Sequence, residues 1–414
     1  MAKFLGLLGD NDRMVLGRIR EAGEAWIVGG WVRDAISGSM VRDLDIATTL
    51  KPDEIKDLFP RSLMVGEKYG TVSVRLEEPS HEEVIWEVTT LRGDGGYGDG
   101  RRPDNVEFGK DIEFDLARRD FTINAMAIDE SGELIDPFGG VLDLDLGLLR
   151  AVGEASERIG EDGLRIMRAF RFLDWGNKGV RVFEEGLSEA ICSNSSMLDK
   201  VSKERIWSEL SQILSGTNVG NIVSLMHYHG VLGTILPGIA INRNVDMSEF
   251  YRTNLALICS EEERSGAELV KELSNLLRIS KEDARVVSFL HDCKDEEINS
   301  ESSSIRRFRA YLRRDRREEF VAYSIGMRRE MSEFLEALAS TKPLKVGNSP
   351  LVDGTVLSQE TGLEPSKRLG RLKAWLHRRQ IEEDMSDPLE VLSLLEEFSW
   401  SDSDPDQWPK LSWP

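Results

Sequence analysis

In the stretch DLDIATT (43–49), two aspartates stand one residue apart inside a β-rich run. The period-two geometry of a strand puts Asp43 and Asp45 on one face and Leu44 and Ile46 on the other. Two carboxylates about 7 Å apart at Cα repel each other unless a cation sits between them. Hard oxygens so spaced suit Mg2+, which keeps several waters and takes further ligands from phosphate oxygens. A solvated strand face would show the same pattern. Just upstream, GGWVRD (29–34) follows the apolar run AWIV. Gly29 and Gly30 let the backbone approach a ligand closely. Arg33 enters at the start of a helix, where amides and a guanidinium both meet phosphate. Metal ligands and phosphate donors therefore fall within one strand–turn–helix–strand unit.

A second cluster lies in EDGLRIMRAFRFL (161–173). On a helix, Arg165 and Arg168 share one side, while Ile166, Phe170 and Leu173 share the other. A surface helix with snorkelling arginines reads the same way. Between the clusters, RRDFTINA (118–125) supplies Arg119, with Asp120 beside it to orient it, and Asn124, which reads as structural. DPFGG (136–140) reads as a turn, with Asp136 as a cap or hinge.

These residues need elements to hold them. From about Trp26 to Asp136, AWIVGG, DLDIATT, GTVSVRL and EVIWEVTTL read as strands, with PDEIKDLF a helix opening on proline. TLRGDGGYGDGRRPD (90–104) is a glycine-rich, charged loop. After Asp136 the helical period takes over, as in ERIWSELSQIL, NIVSLMHYHGVL and KRLGRLKAWLHRRQIEE. The fold class is α+β in front and all-α behind, with boundaries marked by turn residues near 150, 215 and 343. SWSDSDPDQWPKLSWP (399–414) reads as a mobile tail.

The chain has 414 residues and a net charge of -21, which argues against non-specific nucleic-acid binding over the whole surface. A local basic stripe would confine a polyanion to itself. Two stretches qualify. SSIRRFRAYLRRDRREEF (303–320) spaces Arg306, Arg309, Arg313 and Arg316 or Arg317 along an expected helix, and KRLGRLKAWLHRR adds Lys367, Arg371, Arg378 and Arg379. Each is a phosphate track or a solvated helix face. Three distant cysteines suggest neither a disulfide framework nor a zinc site, and no apolar run spans a bilayer. The start is charged too soon for a secretory signal, so a cytoplasmic location is expected. HDCKD (291–295) is similar to the His-Asp pair of HD phosphohydrolases, but only five histidines are present and the segment reads as structural.

GGWVRD followed by RDLDIATT resembles the signature of class II nucleotidyltransferases, the family of tRNA CCA-adding enzymes and bacterial poly(A) polymerases. LARRDFTINAMAID (116–129), IDPFGGVLDLDLGLLRAVG (135–153) and GEDGLRIMRAFRF (160–172) follow in the family's order, and VSKERIWSEL and VDGTVLSQETGLEPSKRLGRLKAWL resemble its later segments. The resemblance implies an N-terminal nucleotidyltransferase head with a small mixed β-sheet (1–140). An elongated all-α part would follow: a neck recognising the base (141–215), an RNA-binding body (216–342) and a tRNA-binding tail (343–414). It implies Asp43 and Asp45 as catalytic Mg2+ ligands. Gly29, Gly30, Arg33, Arg119, Asp162, Arg165, Arg168 and Arg171 would bind nucleotide, and Arg306, Arg309, Arg313, Lys367 and Arg371 would face RNA. By the same resemblance Asp162 and Arg165 read the incoming base, and the chemistry agrees. Cytosine and adenine each present an exocyclic amine beside a ring-nitrogen acceptor, matching a carboxylate and a guanidinium. Uracil and guanine would leave buried groups mismatched, at about 1–3 kcal/mol each. The expected activity is CCA addition to immature tRNA from CTP and ATP; an A-adding enzyme or a poly(A) polymerase is the alternative. The long loop (Arg92, Asp94, Tyr97, Asp99, Arg101, Arg102) favours full CCA addition, because CC-adding members lack much of it. A non-catalytic RNA-binding protein would be expected to have lost the DxD carboxylates. Oligomeric state is not legible.

Overall fold

The computed structural model describes residues 2–41, 43–64, 70–77, 83–92, 109, 111–397 and 399–413. The long loop expectation, apart from Arg92, lies outside the described residues. Two compact units divide the chain, Met1–Gly238 and Ile239–Pro414. The first is α+β and the second helical.

The first unit is built on one mixed sheet. Its strands are β1 (Ala25–Val28), β2 (Asp45–Thr48), β3 (Leu63–Met64), β4 (Thr71–Glu77), β5 (Glu83–Thr90), β6 (Ala127–Ile128) and β7 (Leu134–Ile135), in spatial order β3-β4-β5-β2-β1-β6-β7. β2 and β5 run parallel and every other pair antiparallel. β1 and β2 sit centrally, so Ile27, Val28, Ile46 and Ala47 are buried and read as near-continuous apolar runs. The register puts Val28 opposite Asp45, and Asp45 opposite Glu87. Three strand positions thus align beside the turn that leaves β1.

Strand β2 begins at Asp45, while Asp43 lies in the preceding bend and is exposed. The expectation of both aspartates on one strand face is corrected accordingly. Leu44 and Ile46 are buried, as the alternation requires. Asp136 accepts from the amides of Gly140 (2.7 Å) and Val141 (3.0 Å), so it caps the Gly140–Leu146 helix.

In the second unit the basic stretch expected as one helix is two, Ser302–Tyr311 and Arg314–Gly326. Arg313 between them is extended (φ -62°, ψ 161°). Folding back lets Phe308 and Phe320 meet at 5.7 Å, edge to face. The C-terminal stretch is also not the mobile tail expected of it. Trp408 and Trp413 are buried, and Trp413 stands 4.4 Å from the Phe320 ring and 4.7 Å from that of Phe308. Apolar burial outweighs the polar composition there. In HDCKD, His291 Nε2 pairs with the Arg264 carbonyl (2.8 Å) and Asp292 accepts from the Gly266 amide (2.6 Å), a helix-anchoring arrangement.

Candidate active site

Gly29 makes the first sharp turn of the site. Its φ is +73°, and a Cβ there would lie 2.9 Å from Asp45 Oδ2 and 3.2 Å from Arg119 Nη1. Only glycine meets both the dihedral and the approach. The Gly30–Ser37 helix starts at once, bringing Arg33 into its first turn. Arg33 donates to Asn124 Oδ1 (2.8 Å) and to Asp34 (2.9 Å).

Asp120 sits behind these groups, 7% exposed. It accepts from the Phe121 amide (2.8 Å), from Asn124 Nδ2 (3.2 Å) and from Arg168 Nε (2.7 Å). Burial alone would push this carboxyl up. The Arg168 charge and hydrogen bond, with those of Asn124 and Phe121, outweigh burial and hold it below the usual carboxylate range. Asp120 therefore orients Arg168, and through Asn124 it orients Arg33. Arg119, the expected partner, turns instead to Asp115 (3.5 Å) and the Asn124 carbonyl (3.3 Å).

The Leu164–Leu173 helix buries Ile166, Met167, Ala169, Phe170 and Leu173 and keeps Arg165, Arg168 and Arg171 on its partly open side. Asp162 precedes the helix rather than lying in it, and caps it by accepting from the Leu164 amide (3.0 Å). Gly163 is needed because a Cβ would fall 2.5 Å from the Met197 carbonyl oxygen. Arg165 donates through Nη1 to Glu161 (2.7 Å) and the Arg158 carbonyl (2.9 Å), and through Nη2 to the Arg118 carbonyl (2.9 Å). Nη2 keeps a second proton for a ligand.

These pieces enclose a cavity of about 450 Å3, lined by Gly29, Gly30, Arg33, Asp45, Arg119, Asp120, Asn124, Asp162, Arg165, Arg168, Arg171 and Phe172. Each nucleotide-site residue expected from sequence lines it. A neighbouring cavity of about 340 Å3 shares Asp45, Arg119 and Arg165 and adds Glu87, Thr89 and Arg92. Asp45 is thus common to both. Burial first, then the charges of Glu87 and Asp43, push its carboxyl up to about 6 against the pull of Arg119 and Arg33. Among the described residues no group of three or more His, Cys, Asp or Glu side chains gathers as a complete metal centre.

Among the lining residues that sequence reasoning missed are Glu87 and Phe172. Glu87 reaches Asp45 only through the parallel β2–β5 register, across 42 positions of chain. Phe172 carries three guanidiniums around its ring, those of Arg171 (4.5 Å), Arg33 (5.2 Å) and Arg168 (5.3 Å). The i, i+4 spacing of Arg168 and Phe172 was a readable signal.

The expected RNA-facing residues, all in the second unit, are largely engaged. Arg306 donates to the Glu382 carbonyl (2.7 Å), and Arg309 to the carbonyls of Thr341 (2.5 Å) and Leu338. Arg313 pairs with Asp315 (2.9 Å); Lys367 (2.7 Å) and Arg371 (3.3 Å) pair with Asp406. Arg313 and Lys367 are each 71% exposed.

A mixed sheet with an acidic strand start and a Gly-Gly turn here stands beside an arginine-lined cavity. Residues 25–150 match the family model described as poly A polymerase head domain, and 182–242 that described as probable RNA and SrmB-binding site of polymerase A. Over residues 25–150 the chain is thus similar to that head-domain family. It is similar to the CCA-adding enzyme of Geobacillus thermodenitrificans (strain NG80-2), 43% identical over 232 residues, 55% of each chain. It is also similar to that of Lactococcus lactis subsp. cremoris (strain MG1363), 46% identical over 213 residues, 51% of this chain and 52% of the relative. The chain spans about half the length of the curated relatives it matches. The solved structure of the Bacillus stearothermophilus CCA-adding enzyme in complex with CTP superposes with TM-score 0.75 at 25% identity, covering 93% of this chain and 96% of that one. Among the described residues no helix is long and apolar enough to cross a membrane.

Proposed function

We propose that this protein is a cytoplasmic tRNA nucleotidyltransferase that adds CCA to the 3′ end of immature tRNA from CTP and ATP. The observation that carries the reading is the single cavity in which Asp45, Arg33, Arg119, Asp162 and Arg165 meet, within a head whose relatives are named CCA-adding enzymes.

The donor set fits a divalent cation. A half-buried carboxyl raised to about 6 by burial and by the charges of Glu87 and Asp43 is relieved by a cation. Asp43 and Asp45 would hold Mg2+, which when bound lowers the pKa of the 3′ hydroxyl and offsets charge on the leaving pyrophosphate. The remaining work falls to the chain's own side chains. Arg33, Arg119 and the Gly29–Gly30 turn hold the triphosphate, and Arg168 and Arg171 hold sugar and phosphates. Asp162 accepts from the exocyclic amine, while Arg165 donates to the ring nitrogen. The second cavity, meeting the first at Asp45, suits the RNA end whose hydroxyl attacks the α-phosphate.

The four-part division at 140, 215 and 342 follows this reading, with tRNA held by the helical part. Arg313 and Lys367 are its most exposed expected contacts, with Arg306 and Arg371 beside them, while Arg309, held by two backbone carbonyls, braces the fold. The test is a product ladder. tRNAs ending before CCA, before CA and before A are offered CTP, ATP or both. Three ordered additions support the reading. Extension by A alone on CC-ended tRNA, or long A tracts, would replace it with the A-adding or poly(A) polymerase alternative.

A further inference from the structure

The Lys203–Leu214 helix packs against the Leu164–Leu173 helix and presents Arg205 and Glu209, one turn apart, to the residues assigned to the nucleotide. Arg205 grips Asp162 with two donors, Nη2 to Oδ2 at 2.7 Å and Nη1 to Oδ1 at 3.4 Å. Asp162 lines the cavity and Arg205 does not. Glu209 pairs with Arg171 (2.7 Å) and Arg168 (3.8 Å), which belong to the same wall.

Lone pairs give the contact its consequence. Each oxygen of an ionised carboxylate has two acceptor sites. Oδ1 uses both, for the Leu164 amide (3.0 Å) and Arg205, whereas Oδ2 uses one, for Arg205. One acceptor site of Oδ2 remains, and its direction is fixed by the two-pronged grip. We propose that Arg205 is a specificity-positioning residue: from outside the cavity it clamps Asp162 so that its remaining acceptor meets an exocyclic amine and opposes a carbonyl. This rests on the reading of Asp162 as the base-selecting carboxylate. With Arg205 removed, the carboxylate keeps only its amide anchor and rotates away from a uracil carbonyl at small cost. Glu209 acts on guanidiniums that do not read the base, so its loss affects every nucleotide alike.

The test compares kcat/KM for CTP, ATP and UTP on one tRNA lacking CCA, using wild type, R205A, R205K, E209Q, D162A and D162A/R205A, each first shown to be folded by thermal melting. Arg205 and Asp162 are half-exposed and one-third exposed, so water screens their pairing. R205A is expected to lower the CTP-over-UTP ratio about threefold to fivefold, the range of a partly exposed two-donor pair. R205K recovers part of the ratio, E209Q scales all three nucleotides equally, and R205A adds nothing in the D162A background. An equal R205A effect on all three nucleotides, or a further selectivity change on top of D162A, overturns the assignment. A wild type that adds neither CTP nor ATP overturns instead the functional reading on which it rests.

Discussion

Arg168 reaches Asp120 through two nitrogens, Nε at 2.7 Å and Nη2 at 2.6 Å, both on Oδ2 of a carboxylate that is 7% exposed. Asp120 Oδ1 meanwhile holds Asn124, whose amide oxygen holds Arg33. One buried acid therefore sets two arginines that come from elements 135 residues apart.

Replacing Asp120 with Asn should loosen both arginines at once. The KM for CTP and for ATP should rise together, and stability should fall by about 2 kcal/mol, less than the ~3–5 kcal/mol of a fully buried broken pair, because Arg168 is partly exposed. The folded-state pKa of Asp120 is depressed. Its contribution is therefore complete above the unfolded value near pH 4 and is lost as pH falls through the folded value. Thermal unfolding of wild type and D120N should differ at pH 7 and converge in strong acid.

Asp45 carries the opposite sign. Its folded pKa, about 6, lies above the ordinary 3.8. Between those values the folded chain binds more protons than the unfolded one, so stability falls as pH rises from about 4 to 6. In chelator, D45N should gain on wild type across that window, by on the order of 2 kcal/mol at pH 7. Differential melting at pH 4.5 and pH 7 checks it, and an advantage that shrinks with pH would contradict it.

Phe172 should prove a shared platform. Substituting Leu keeps most of the apolar volume and removes the π face from Arg33, Arg168 and Arg171. Each contact is worth about 0.5–1 kcal/mol where partly exposed. The expected result is a rise of about tenfold in KM for CTP and ATP alike, with kcat little changed, measured by steady-state incorporation.

In the second unit, Arg309 and Arg313 should separate structure from RNA binding. Arg309 donates to two backbone carbonyls, so R309A should lower the melting temperature and leave the salt slope of tRNA binding unchanged. Arg313 is exposed, so R313A should reduce that slope by about one. Filter binding across a salt series reads both.

Much of the first unit was legible because its signals are local. Gly29, Arg33 and Asp45 lie within 17 residues, and the helix carrying Arg165, Arg168 and Arg171 sorts its apolar and basic faces by a 3.6-residue period. What stayed hidden depends on long-range pairing. Nothing in EVIWEVTT marks Glu87 above Glu83 until β5 lies parallel to β2. Arg205 and Glu209 look like any amphipathic helix surface until that helix packs on its neighbour. The basic stripes also carry counter-charges of their own, placed by a local pattern. Acids at i+4, as in Arg314–Glu318, Arg378–Glu382 and Arg379–Glu383, already answer those charges within the helix. The tail's polar composition concealed the ring contacts of Trp413, which only the folded helices provide.

In the proposed reaction the acidic start of β2 drives nucleotide transfer. Single-turnover incorporation of CTP into CCA-less tRNA by D45N, with CTP binding and melting measured on the same sample, tests it most directly. The account predicts a folded protein that still binds CTP and transfers it at least about a thousandfold more slowly, on the order of 4 kcal/mol of lost transition-state stabilisation. Transfer within tenfold of wild type would contradict it.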